Sequence, residues 1–102
     1  MTVAAVMVSY PAHAGARFDR GYYVATHLAL VERVFAPHGL TGVHAFFPDD
    51  EGGATLATAV LHFRDATARD AALGHADAGE AFGDIPNFTD AQPLATRVTA
   101  AS

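Results

Sequence analysis

Residues 40–63, LTGVHAFFPDDEGGATLATAVLHF, decide the fold. Leu40 to Phe47 and Leu56 to Phe63 are apolar runs with the branched and aromatic residues that suit a pleated, half-buried surface. Between them, Pro48-Asp49-Asp50-Glu51-Gly52-Gly53 is a polar turn that returns the chain antiparallel, so the stretch reads as a β-hairpin. Gly52-Gly53 lies in that turn and does not open a helix, which removes the only glycine pair that might have cradled a phosphate.

On the N-terminal side of the hairpin the periodicity becomes helical. Asp19 stands as N-cap, Phe18 is placed to staple onto Tyr23, and Gly39 supplies the stop. Before that helix, Thr2 to Tyr10 is an unbroken Val-rich run ended by Pro11, and reads as the first strand. On the C-terminal side Asp65 caps an Ala-rich helix whose pattern fades at Gly74, and Gly79, Gly83 and Pro86 break up a looser stretch. A last strand runs from about Gln92 to Thr99, with Pro93 suiting an edge position. The order is β-α-β-β-α-β, an α+β chain of the split βαβ type, in which both crossovers set their helices on one face of a four-stranded antiparallel sheet. No repeat or linker interrupts it, and residues 1–102 are expected to form one domain.

Composition narrows the function classes. The 102 residues carry six Arg, no Lys and eleven acidic residues, for a net charge of −5, so no basic patch is available for nucleic acid. The absence of cysteine excludes a disulfide frame, a thiolate nucleophile and an iron–sulfur cluster. The apolar run Val3 to Val8 is too short for a membrane span and lacks the basic flank of a signal peptide, so a soluble, cytoplasmic protein is expected. Of the 51% hydrophobic residues, 23 are alanines, which leaves a thin core for a chain of this length.

Strand alternation locates the remaining apolar side chains on both faces of the sheet. Val3, Ala5 and Met7 oppose Ala4, Val6, Val8 and Tyr10; Phe46 opposes Phe47; Val60 opposes Leu61 and Phe63. Two helices cover one face only, so the other is expected to be covered by a second copy of the chain.

Projected at about 100° per residue, the first helix gathers Tyr23, Val24, His27, Leu28, Leu30, Val31, Val34 and Phe35 into one apolar arc. His27 lies near its centre. A buried imidazole needs a hydrogen-bond partner or a cavity, and Tyr23, one turn earlier, is its nearest companion in the sequence. Tyr22 projects away from the arc and reads as a surface or interface residue. The other histidines show no metal-ligand spacing: His13, His38 and His75 fall in loops or at helix ends, and His44 and His62 lie on paired strands whose register the turn does not set. No metal site is expected.

The residues Phe18-Asp19-Arg20-Gly21-Tyr22-Tyr23, Thr26-His27, Leu30-Val31 and Pro37-His38-Gly39-Leu40 resemble the signature of the EthD family. Asp84-Ile85-Pro86-Asn87-Phe88-Thr89 with Gln92-Pro93 is similar to that family's C-terminal signature. Ala29 departs from it, since family members often carry proline there. The resemblance covers nearly the whole chain and implies a ferredoxin-like fold pairing as a dimeric α+β barrel. The family takes its name from ethyl tert-butyl ether degradation, and the wider superfamily includes cofactor-free monooxygenases, isomerases and polyketide-tailoring enzymes, which fold alone does not separate.

From the matched positions a pocket is expected between the first helix and the sheet, closed by the Asp84 to Phe88 loop. There His27 would be the general acid or base, with Tyr23, Val31, Asp84, Asn87 and Phe88 forming the substrate-binding set. Within it Tyr23 and Asn87 would orient a ligand oxygen, and Asp84 would set the imidazole tautomer. The expected function is a homodimer, paired through the sheet face, that processes a small, mostly apolar compound without a cofactor, as an oxidoreductase, isomerase or lyase. The alternative is a non-catalytic binding or accessory protein for a partner oxygenase.

Overall fold

Val6, Val8 and Tyr10 sit at the centre of the molecule because their strand is hydrogen-bonded on both sides and roofed by helices. A computed structural model describes residues 4–50 and 52–100. Its strands are β1 (Ala4–Pro11), β2 (Leu40–Phe46), β3 (Thr55–Phe63) and β4 (Leu94–Thr99), in the antiparallel order β2-β3-β1-β4. This is the order that two split βαβ units produce. The expected start of the first strand at Thr2 and Val3, and Glu51 of the turn, lie outside the described residues. Pro93 precedes β4 and so withholds no ladder hydrogen bond, while β4 takes the expected edge beside β1.

The first helix begins as α1 (Arg20–Tyr22), widens into a π turn over Tyr23–His27, and continues as α2 (Leu28–Phe35) and a 3-10 turn over Ala36–His38. Asp19 caps it, its Oδ1 accepting from Tyr22 N–H at 3.0 Å. Phe18 does reach Tyr23, with ring centroids 5.1 Å apart. Gly39 ends it at φ +96, where a Cβ would lie 3.0 Å from the Ala68 Cβ, so glycine is required by both the dihedral and the space. Asp65 Oδ1 accepts from Ala68 N–H at 2.7 Å to start α3 (Ala66–Gly74). The stretch read as loose is instead ordered into α4 (Ala78–Gly83) and a 3-10 turn over Ile85–Asn87, because Ala78, Ala81 and Ile85 are buried on the core.

The sheet register assigns faces. Val6, Val8, Tyr10, Ala57, Ala59, Leu61 and Phe63 meet the helices and are buried. On the other face lie Met7, Val60, Thr96 and Val98, together with Phe46 and Leu94, which are 57% and 60% exposed. His44 pairs with Val60 and Gly42 with His62, so the two histidines share this outer face, with His44 Nδ1 and His62 Nε2 3.1 Å apart. Among the described residues no helix is long and apolar enough to cross a membrane.

Two expectations about the first helix fail for one reason. Val24, placed in the buried arc, is 55% exposed, and Tyr22, placed outside it, is half-buried against Phe88. In the π turn Leu28 N–H bonds back to Tyr23 O, five residues away, and each residue advances by less than the α-helical angle. The segment before His27 is thereby rotated, Tyr22 inward and Val24 outward.

Candidate functional site

The site exists because two loops distant in sequence are bonded together. Asp19 N–H donates to Phe88 O at 2.7 Å, Thr89 Oγ1 donates to Arg17 O at 2.7 Å, and Arg17 Nη2 donates to Pro86 O at 3.0 Å. These bonds hold the segment after α4 alongside the start of the first helix. Asp84, the C-cap of α4, then faces His27.

His27 Nδ1 lies 2.9 Å from Asp84 Oδ2, with the two side chains only 5% and 11% exposed. The other carboxylate oxygen accepts from Tyr22 Oη at 2.7 Å and from Asn87 Nδ2 at 2.9 Å. Burial pushes the Asp84 carboxyl upward, but the hydrogen bonds from Asn87, Tyr22 and His27 outweigh it and hold it below the usual range. An ionised carboxylate only accepts, so His27 must carry its proton on Nδ1 and present a lone pair at Nε2. Burial also lowers the His27 pKa, against the opposing pull of Asp84, which keeps the ring neutral near pH 7. Among the described residues Nε2 has no hydrogen-bond partner. The arrangement can accept a proton at Nε2.

Around this ring is an aromatic cluster. Phe88 lies 4.5 Å from His27 between centroids, and Tyr23 stacks on His27 at 5.7 Å. An apolar cavity of about 20 Å³ borders it, floored by Val8, Tyr10, Ala59 and Leu61 and walled by Tyr23, His27, Val31 and Phe35. Leu28, Ala81, Phe82 and Ile85 complete the lining, and of these Leu28 and Phe82 are only half-buried. Among the described residues Tyr23 Oη is buried without a partner, and burial raises its pKa to about 12, so it remains a proton donor.

The structure places the expected site residues as follows. Tyr23, His27 and Val31 line the cavity between helix and sheet. Asp84 reaches His27 but does not line the cavity. Asn87, expected to orient a ligand oxygen, is exposed and donates to Asp84 instead. Phe88 is fully buried behind His27 and is no part of the lining. Its loop braces the imidazole, and α4 with Phe82 closes that side. Tyr22 and Phe82 were missed; the pairing of Tyr22 with Asp84 spans 62 residues and leaves no periodic signal.

The histidine and carboxylate pairing also sets a pH dependence. A buried imidazole with a lowered folded-state pKa contributes stability that is present above 6.5 and lost as pH falls through the folded value. Denaturant midpoints measured between about pH 7.5 and 4.5 are expected to fall more steeply for the parent than for His27→Gln. Parallel curves would contradict the burial of a neutral ring.

Comparisons with known proteins fit this description. No family model matches the chain, and no curated protein matches it. Among solved structures, an EthD-like protein from Ralstonia eutropha JMP134 is 26% identical, with a TM-score of 0.79 over 96% of this chain and 91% of that one. A dimeric ferredoxin-like protein of unknown function from Thermobifida fusca YX shares the fold at 11% identity and a TM-score of 0.64, over 97% and 92% of the two chains. So does SnoaB, a cofactor-independent oxygenase from Streptomyces nogalater, at 13% identity and a TM-score of 0.58, over 99% and 94%. The chain has the ferredoxin-like fold that these structures share. In sequence as well as fold it is similar to the EthD-like protein.

Proposed function

We propose that this chain acts as a homodimer, residues 1–102 forming one domain per copy, that binds a small, mostly apolar organic compound beside His27 and moves a proton on it without a cofactor. The observation that carries this reading is the Asp84-oriented His27, which lines an apolar cavity together with Tyr23 and, among the described residues, has no partner at Nε2, while Tyr23 Oη has none either. A compound with one oxygen atom would meet a base at Nε2 and a donor at Tyr23 Oη, the two groups that proton abstraction next to a carbonyl or from a phenol requires. The apolar lining supplies binding and keeps water from competing.

A cavity of about 20 Å³ is far below the several hundred Å³ that ligand pockets span. Entry of a compound therefore requires the half-buried Phe82 and Leu28 to rotate, and specificity falls to those side chains. Pairing is supported by the apolar outer face that holds Met7, Val60, Phe46 and Leu94, and by the dimeric neighbour of the same fold.

Titration of the protein with a panel of small phenols and cyclic ketones, followed by NMR amide shifts, tests the pocket. Shifts are expected at His27, Leu28 and Phe82, and shifts confined to the outer sheet face would overturn the site. Light scattering tests the assembly: a dimer is expected, weakened by Phe46→Asp, and a monomer at micromolar concentration would remove it.

A further inference from the structure

We propose that His38, His75 and Asp77 form a binding site for a divalent metal ion of the zinc class, separate from the His27 cavity. The three come from two places in the fold. His38 closes the 3-10 turn after α2, while His75 is the C-cap of α3 and Asp77 the N-cap of α4. The packing of α2 against α4 brings them together, with the imidazoles of His38 and His75 4.3 Å apart between centroids.

Asp77 Oδ2 lies 3.0 Å from His38 Nε2 and 3.4 Å from His75 Nδ1, and one ligand atom from each residue falls within 4.8 Å of the others. A tetrahedral zinc ion with bonds of about 2.0–2.1 Å separates its ligands by about 3.3 Å, so two of the edges stand close to a bound geometry. Two imidazoles and a carboxylate are donors that zinc accepts, and the exposure of His75 and Asp77 leaves a fourth position for water.

His38 Nε2 donates to the Asp77 carboxylate, but hydrogen bonding does not account for the contact of that carboxylate with His75. His75 Nδ1 accepts from Asp77 N–H at 3.0 Å, so it bears a lone pair and cannot donate to the carboxylate it faces. Two acceptors 3.4 Å apart repel, and a cation between them reverses the sign of that contact. Binding would transfer the Nδ1 lone pair to the metal and release the Asp77 N–H, which at this exposed corner turns to water.

The ion would clip the end of α2 to the α3–α4 corner. Val31 and Phe35 of α2 and Ala81 and Phe82 of α4 all line the His27 cavity, so the clip would steady that lining.

Calorimetric titration of the chelator-treated full chain with zinc chloride tests this, supported by the visible absorption of cobalt at the same site. One ion per chain is expected, bound more than about tenfold more weakly by His38→Gln and by His75→Gln and with unchanged affinity by His62→Gln. The last variant removes half of the His44 and His62 pair, the other close histidine pair. Zinc should also raise the Tm of the parent and leave that of His75→Gln where it was. No binding by the parent, parent-like binding by both variants, or loss in His62→Gln would overturn the proposal.

Discussion

Replacing Phe88 by Ala is expected to cost the fold about 3–5 kcal/mol, which lowers Tm by roughly 15–30 °C for a chain of this length. The reason lies in what the ring touches. Phe88 is fully buried, and its centroid lies 5.6 Å from Tyr10, 5.3 Å from Phe18, 6.2 Å from Tyr22, 5.1 Å from Tyr23 and 4.5 Å from His27. Those rings come from β1, the entry to the first helix and the helix itself, so the void cannot close by moving one side chain. The edge-to-face contacts with Tyr10 and Phe18 and the stacked one with Tyr22 contribute beyond area burial, and all are lost at once. The same loop holds Asp84, so the His27 bond should loosen with the fold. Thermal and urea unfolding would measure the effect. A loss below about 1 kcal/mol, within the ordinary spread of single substitutions, would mean that the aromatic cluster is not the brace described here.

Asp84→Asn should spare the fold and disable the base. The substitution keeps the shape but brings an amide that can donate to His27 Nδ1, which favours the opposite tautomer and puts the proton on Nε2. If the proposed acid-base role is correct, turnover of a compound found by the ligand panel should fall by about 10²–10⁴-fold. Imidazole nitrogen NMR shifts provide a readout that needs no substrate: Nδ1 should be protonated in the parent and Nε2 in the variant. Tyr22→Phe, which removes one of the two other donors to Asp84, should act in the same direction with a smaller loss. Full activity in Asp84→Asn, with the tautomer switched, would remove His27 from the chemistry and favour the binding or accessory reading.

The parts of this protein legible in the sequence are those with a local cause. Pro11, Asp19, Gly39, the Pro48 to Gly53 turn and Asp65 punctuate the chain through backbone chemistry that needs no distant partner, and the element order followed from them. Alternation along β1 and β3 located the apolar outer face because side-chain direction in a strand depends only on parity. His27 stood out for a related reason, as a polar group at the centre of an apolar arc.

What those rules could not reach was any feature that depends on contact across the fold. The α-helical projection put Tyr22 outside and Val24 inside because it assumes a constant angle per residue, and the π turn over Tyr23–His27 breaks that assumption. Asn87 and Phe88 belonged to a matching motif, yet only the bonds from Arg17 and Asp19 to their loop decided that one anchors Asp84 and the other backs the imidazole. His38, His75 and Asp77 have no diagnostic spacing, and the packing of α2 on α4 made them a cluster. Hydrophobic pattern and turn chemistry determined which elements form and which faces they bury, since both are set within a few residues. Which polar groups meet was decided by tertiary packing, because hydrogen-bond geometry is settled by the rotation and close approach of whole elements.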